Sequence, residues 1–146
     1  MKTIIFSLVL LLTLGCTTNN NDSEPQTITP VLIGNGYLNS NNTFYTKQNI
    51  VINNNSEWRT LLTNFNIIQS NLTSTFTETK VDFDKYKIIV VIDVGNSATR
   101  IDLINITENN NNITVAINLK LGIAQDVVLP FQIVKIPQST KPIVFQ

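Results

Sequence analysis

Few side chains in this sequence are suited to catalysis. Among its 146 residues are ten Lys or Arg, ten Asp or Glu, a single Cys, a single Trp and no His. The absence of His excludes a Ser-His-Asp triad, a Cys-His pair and the usual zinc sites. One Cys cannot form an intramolecular disulfide. The net charge is zero and only 14% of the residues are charged, so no basic patch is available for phosphates and we expect no nucleic-acid partner.

Carboxylates are the remaining candidates for acid–base catalysis. Asp82 and Asp84 form a D-x-D pair, which can indicate a metal site or a carboxylate dyad. A glycosidase-type pair could also be drawn from these two residues together with Asp93, Asp102 and Glu108, but no spacing among the five singles out a pair. We therefore predict no catalytic, cofactor or metal site and no enzymatic activity, and we expect Asp82 and Asp84 to face solvent where a strand begins. A carboxylate-based hydrolase is the least favoured alternative.

The N-terminal segment has the pattern of a signal peptide. Lys2 precedes an apolar run of about twelve residues that ends at Gly15, as in the basic and apolar regions of secretory signals. As a helix this run would be about 18 Å long, which is too short for a hydrocarbon core of about 30 Å. We predict that residues 1–15 are a cleaved signal peptide and not a membrane span.

The only cysteine follows this run directly. Leu14-Gly15-Cys16 resembles the lipobox of bacterial lipoproteins, although Thr13 stands where that family usually has Leu. The resemblance implies acylation of Cys16, for instance with palmitate, and a lipid-anchored protein of the bacterial cell envelope, at the outer rather than the inner membrane. Two or more acyl chains would hold the protein stably, whereas one is marginal. The alternative is an ordinary signal peptide followed by an unrelated Cys, which would leave an exposed thiol in an oxidising compartment.

The segment after Cys16 is polar. Residues 17–29 contain Asn, Thr, Asp, Ser, Glu and Pro and almost no apolar residue before Ile28. Such a segment cannot bury enough surface to offset its ordering entropy. We predict that residues 16–29 form the lipidated Cys and a flexible tether, and that residues 30–146 form a single globular domain.

One amphipathic helix is predicted over about 56–68. Trp58 recurs with Leu61, Leu62, Phe65 and Ile68 at helical spacing, which makes one apolar face. The preceding Asn and Ser residues are preferred N-caps, and an acidic residue follows them in the first turn. Because Trp58 lies on the apolar face, we predict that it is a core residue and not a sugar-stacking platform.

The rest of the domain is predicted to be strands. Short apolar runs bounded by turn residues occur at residues 31–33, 44–52, 87–94, 100–107, 113–120, 127–129, 131–136 and 143–145. Within the run at 87–94, residues 88–92 are five consecutive apolar residues, which predicts a central strand that is buried on both faces. Gly34 to Gly36 is expected to be a turn or bulge, and Pro130 a break or an edge. One early helix and about six to eight short strands predict an α+β fold with a mainly antiparallel sheet.

The order of four segments resembles the C-terminal domain of PrcB, a lipoprotein subunit of a protease complex. The segments are EWRTLL at 57–62, VDFDKYKII at 81–89, IDL and ITE at 101–103 and 106–108, and LPFQIVKIP at 129–137. That family commonly has a Gly-Gly-aromatic stretch where this chain has Ser97-Ala98-Thr99. The resemblance implies a non-catalytic domain that binds or assembles with another protein, such as a cell-envelope or secreted protease.

Two modes of binding are open at this stage. A protein partner could add to an exposed strand such as 143–145. Alternatively, the domain could bind an envelope glycan or another small ligand, with Trp58, Tyr37 or Tyr45 as stacking faces; burial of these rings would exclude that role for them.

Overall fold

The computed structural model describes residues 24–146, apart from the side chains of residues 103 and 104. The predicted signal peptide, Cys16 and most of the predicted tether lie outside these residues. The described part contains one α-helix, α1 (Asn55–Ile68), and a short 3-10 helix (Leu72–Thr75). Its strands are β1 (Gln26–Ile28), β2 (Val31–Asn39), β3 (Gln48–Ile52), β4 (Tyr86–Ile92), β5 (Arg100–Glu108), β6 (Ile113–Lys120), β7 (Val128–Pro137) and β8 (Ile143–Phe145).

The strands form two four-stranded sheets. One has the order β1-β5-β6-β8 and the other β2-β7-β4-β3. All pairs are antiparallel except β6 with β8. The predicted α+β class with mainly antiparallel pairing is therefore confirmed, while the division of the strands between two sheets was not predicted.

Strand β4 separates two hydrophobic cores. Its residues Ile88, Val90 and Ile92 contribute to a core that α1 covers, while Ile89 and Val91 contribute to a core against the other sheet. Successive side chains of a strand point to opposite faces, so the β2-β7-β4-β3 sheet is the middle of three layers. The predicted burial of this strand on both faces is confirmed.

Helix α1 begins at a capping interaction and packs by its apolar face. The Glu57 N–H donates to the Asn54 side chain at 3.0 Å, and the Glu57 carboxylate accepts from the Asn53 N–H at 3.0 Å. These two bonds satisfy backbone donors that the first turn leaves unpaired. Trp58 and Phe65 are fully buried against the middle sheet, as predicted.

Two predictions in the N-terminal part of the domain were wrong, and a third was right in one of its two alternatives. The tether was predicted to extend to residue 29, but Gln26–Ile28 is a strand that pairs with β5. This strand is held by backbone hydrogen bonds and by one partly buried side chain, Ile28. The sequence of so short and polar a segment therefore contains little that predicts a strand. Gly34 to Gly36, predicted to be a turn or a bulge, lies within β2, and the register shift between Leu32 and Gly34 agrees with the bulge. The apolar residues at 44–45 precede β3 without belonging to a strand.

Pro130 was expected to break or edge a strand, but it lies inside the inner strand β7. Its carbonyl accepts from the Asp93 N–H at 3.0 Å, so Pro130 lies opposite the first residue after β4. Proline has no N–H to donate, but the regular pairing with β4 ends at Phe131, so no ladder hydrogen bond is lost at this position. This position tolerates a proline that a central ladder position would not.

Candidate functional site

The candidate carboxylates lie at three places in the fold, in the turn before β4, just after β4 and on β5. Asp102 and Glu108 lie six residues apart on β5, which corresponds to about 20 Å along a strand. Asp84 precedes β4 and Asp93 follows it. Four of the five side chains form ion pairs, Asp82–Lys85 at 2.9 Å, Asp93–Lys47 at 3.0 Å, Asp102–Lys120 at 2.5 Å and Glu108–Lys141 at 2.9 Å. Within the described residues, no cluster of three acidic, His or Cys side chains could hold a metal ion.

The D-x-D pair belongs to the turn that starts β4. Asp82 and Asp84 are exposed, as predicted, and the Asp84 N–H donates to the Asp82 carboxylate at 3.1 Å. The Lys85 ammonium bonded to this carboxylate lowers the pKa of Asp82. A carboxylate engaged by its own turn is positioned for local structure.

Two of the three candidate stacking rings are buried. Trp58 is 1% exposed, and its indole N–H donates to the Thr79 carbonyl at 2.9 Å. Tyr45 is 9% exposed and packs edge-on against Phe65; its burial raises the pKa of the phenol. Neither ring offers a free face to a sugar, which excludes both from the predicted stacking role.

The third ring, Tyr37, belongs to a cleft between the two sheets. Its hydroxyl donates to the Thr99 carbonyl at 3.0 Å, and the Arg100 guanidinium lies 5.2 Å from its ring centroid. The Arg100 Nη1 also donates to the carbonyls of Thr99 and Ser97, at 3.1 and 3.3 Å. This Tyr37 cleft has a volume of about 200 Å³. It is lined by Asn35, Gly36, Tyr37, Thr99, Arg100, Ile101, Pro130 and Phe131.

Beside the cleft, two loops meet at one end of the domain, which we call the distal end. They are residues 93–99, between β4 and β5, and residues 121–127, between β6 and β7. The Asn96 side chain donates to the carbonyls of Gly122 and Ala124, at 2.8 and 3.2 Å. The Asp126 carboxylate accepts from the backbone N–H and hydroxyl of Ser97, at 3.0 and 3.1 Å, and these bonds lower the pKa of Asp126. The two loops therefore hold each other in place.

The distal loops expose large apolar side chains. We define the distal apolar surface as Val94, Leu121, Ile123 and Val127. The exposed fractions are 50% for Val94, 77% for Leu121 and 61% for Val127, and Ile123 is fully exposed. Single exposed apolar residues are ordinary, but several on adjoining loops are typical of an interaction surface.

The chain enters the domain at the opposite end. Gln26 of β1 pairs with Glu108, the last residue of β5, whereas the distal loops adjoin Arg100, the first. Eight residues of strand separate these two ends, about 26 Å. A tether that precedes Gln26 therefore leaves the domain far from the distal apolar surface.

Neither Arg100 nor the distal loops were predicted as a site. Tyr37 and Arg100 are 63 positions apart in the sequence, and only the strand topology brings them together. A partial signal does exist in the loop after β6, because Leu121 and Ile123 flank Gly122 where no strand pattern explains apolar residues. The stretch where the sequence departs from the PrcB pattern, Ser97 to Thr99, lies at this same end.

Comparisons of the chain with protein-family models, curated proteins and solved structures find no match. The resemblance to PrcB therefore stays a prediction. Within residues 24–146, no helix has the length and apolar character needed to cross a membrane.

Proposed function

We propose that this protein is a lipid-anchored envelope protein whose domain binds a protein partner and does not act as an enzyme. Acylated Cys16 would attach it to a bacterial membrane, at the outer rather than the inner membrane, and the domain would serve as a binding or assembly module. The partner class that the PrcB resemblance implies is a cell-envelope or secreted protease.

The distal apolar surface is the observation that carries this proposal. Exposed aliphatic side chains such as Leu121 and Ile123 are costly to keep in water, and removing them from water is a main source of affinity in protein complexes. The Asn96 and Asp126 hydrogen bonds fix the loops that carry them. A surface that is ordered before binding loses less conformational entropy when a partner docks.

The position of this surface also supports the proposal. Because the chain enters at the Gln26 end, the distal end is the part of the domain farthest from the point where a tether would join it. A surface in that position is accessible to a protein partner.

Mass spectrometry of the mature N-terminus tests the anchor. We expect the mature protein to begin at acylated Cys16, and a Cys16→Ser variant to be released from the membrane fraction. A mature protein that begins elsewhere, or an unmodified Cys16, would contradict the anchor without bearing on the domain's partner.

Crosslinking in intact cells tests the partner. We expect a photo-crosslinker placed at Gln125, an exposed residue of the distal loop, to capture one protein reproducibly, and Ile123→Ser to abolish that product. Ile67→Ser is the matched control, since Ile67 is 62% exposed on α1, outside the distal loops. An equal loss in both variants, or no loss with Ile123→Ser, would refute the proposed binding surface.

A further inference from the structure

We infer that the Tyr37 cleft binds an acidic side chain of the partner, presented by an extended segment that adds to the edge of β2. This inference rests on the proposed function, because it names the chemistry by which the partner would be recognised next to the distal apolar surface. Three independent features of the cleft carry it.

The first feature is a positioned cation that has no acidic partner among the described residues. Five lysines of the described chain form ion pairs with carboxylates, whereas no carboxylate in residues 24–146 lies within ion-pair distance of Arg100. Its Nη1 is bonded to the Thr99 and Ser97 carbonyls, and its guanidinium lies over the Tyr37 ring. The planar guanidinium has five N–H donors, so others are left for an incoming carboxylate. A guanidinium held in this way is preorganised for such a bond.

The second feature is the size of the cleft. Its volume is about 200 Å³, below the range of about 300–1,000 Å³ for sites that take drug-sized ligands. A single side chain fits this space, which is smaller than the sites that usually take cofactors or drug-sized ligands. The size therefore favours one residue of a larger partner over a free small molecule.

The third feature is an open backbone edge along the cleft. Gly95 and Val128 exchange both backbone hydrogen bonds, and the Pro130 carbonyl accepts from residue 93, so residues 128 and 130 direct their polar groups toward the β4 side. By the alternation of antiparallel ladders, residues 129 and 131 bond to β2 through Leu38 and Gly36. The N–H and C=O groups of Asn35 and Tyr37 then point away from β7, to the outside of the sheet.

The neighbouring positions on this edge are already occupied. The Ile33 carbonyl accepts from the Thr77 N–H at 2.8 Å, and the Asn39 carbonyl accepts from the Asn42 N–H at 3.2 Å. Among residues 24–146, the open part of this edge is thus limited to Asn35 and Tyr37, which also line the cleft with Arg100. Backbone pairing at so short an edge aligns an extended segment without sequence preference, and the pocket beside it supplies the preference and most of the affinity. The occupant that satisfies both is a short extended segment with one Asp or Glu.

Selection from a random heptapeptide display library tests this inference on the full-length protein in detergent. We expect the recovered peptides to share one acidic position. The best peptide should bind Arg100→Gln at least about tenfold more weakly, as expected for loss of a charge-assisted hydrogen bond. Arg59→Gln is the matched control, because Arg59 is also exposed and has no ion pair among the described residues. Replacing the peptide's acid by its amide should cause the same loss on the native protein and no further loss on Arg100→Gln.

Backbone pairing is tested separately with N-methylated versions of the same peptide. Methylation at residues flanking the acid should weaken binding at alternate positions only, as for a strand that pairs with one edge. The inference is overturned if no peptides are recovered, if they lack a common acid, or if Arg100→Gln binds them unchanged. Peptides that fail to bind Ile123→Ser but still bind Arg100→Gln would refute the acidic-residue site in the cleft and would still support the distal apolar surface as a binding surface.

Discussion

A glycine in β2 provides a stringent test of the packing under α1. A Cβ atom added at Gly34 would lie 2.5 Å from Cδ1 and 2.7 Å from Cε1 of Phe76. Carbon atoms in contact are normally about 3.5–4.0 Å apart, so the ring would have to move by about 1 Å. Phe76 stacks on Trp58 and packs edge-on against Phe65 and Phe131, so this movement would disturb the whole aromatic cluster.

The expected cost of Gly34→Ala follows from two opposing terms. Overpacking a core lowers the free energy of unfolding by about 1–3 kcal/mol. Gly→Ala also restricts the unfolded chain, which raises the free energy of unfolding by about 0.4–1 kcal/mol where the folded backbone is compatible with Ala. The φ of Gly34 is not positive, so the second term applies. We expect a net loss of about 1–2 kcal/mol in the free energy of unfolding. With a urea m-value of about 2 kcal/mol/M, the midpoint should fall by about 0.5–1 M.

Gly36→Ala is the matched control on the same strand. A Cβ there would lie 3.1 Å from Phe131, so a shift of a few tenths of an ångström relieves it and we expect stability within about 0.5 kcal/mol of the native protein. Urea unfolding can be followed by the fluorescence of Trp58, the only Trp in the sequence. Adding Phe76→Leu to Gly34→Ala should cost less than the sum of the single changes. A Gly34→Ala protein as stable as Gly36→Ala would refute the proposed packing.

Three further changes test the helix cap, a buried charge and the distal loops. Asn54→Ala should lower the free energy of unfolding by about 1 kcal/mol through loss of the N-cap, and Asn55→Ala, one position later, should not; equal losses by urea titration would contradict the cap. Burial lowers the pKa of Lys87 in the folded protein. The unfolded chain therefore binds this proton more tightly than the folded protein does, and the free energy of unfolding should rise as the pH increases towards about 10.4. Lys87→Met should remove that rise and stabilise the protein at pH 7, and an unchanged pH profile would refute the assignment. Asp126→Ala should free the Ser97 N–H, seen as faster amide hydrogen exchange at residues 96–98, and no change there would contradict the loop contact.

The parts of the fold that were predicted are those with a local signal. The run at residues 88–92 is apolar at every position, which only a strand covered on both faces requires. The spacing of Trp58, Leu61 and Phe65 similarly leaves one face for burial. The division into two sheets has no such signal, because alternation along β6 shows that one face is buried and not which partner covers it.

The candidate site was missed for a related physical reason. Tyr37 and Arg100 come together only because the two sheets stack, and no pattern within β2 or within β5 indicates that stacking. The carboxylates had the opposite problem, since D-x-D is a visible motif whose residues Asp82 and Asp84 are used in a turn. Residue types with possible chemistry were thus easy to find, while the arrangement that makes a site depended on contacts between distant segments.

The same topology decides between two strand edges for a partner. Strand β8 is also an outer strand, and the sequence suggested residues 143–145 as a docking strand, but Ile143 pairs with Ile113 beside the Glu108 end where the chain enters. A partner that added to β8 would lie at the tether end, and β8 has only three residues to pair with it. The edge at Asn35 and Tyr37 is shorter still, but it adjoins a preorganised cation, a pocket and the distal apolar surface. Two residues of backbone pairing give little affinity alone, so binding at the Asn35 and Tyr37 edge must depend on the neighbouring cation, pocket and apolar side chains. We therefore expect this edge to select its partner by sequence, whereas pairing with β8 would depend little on the partner's sequence.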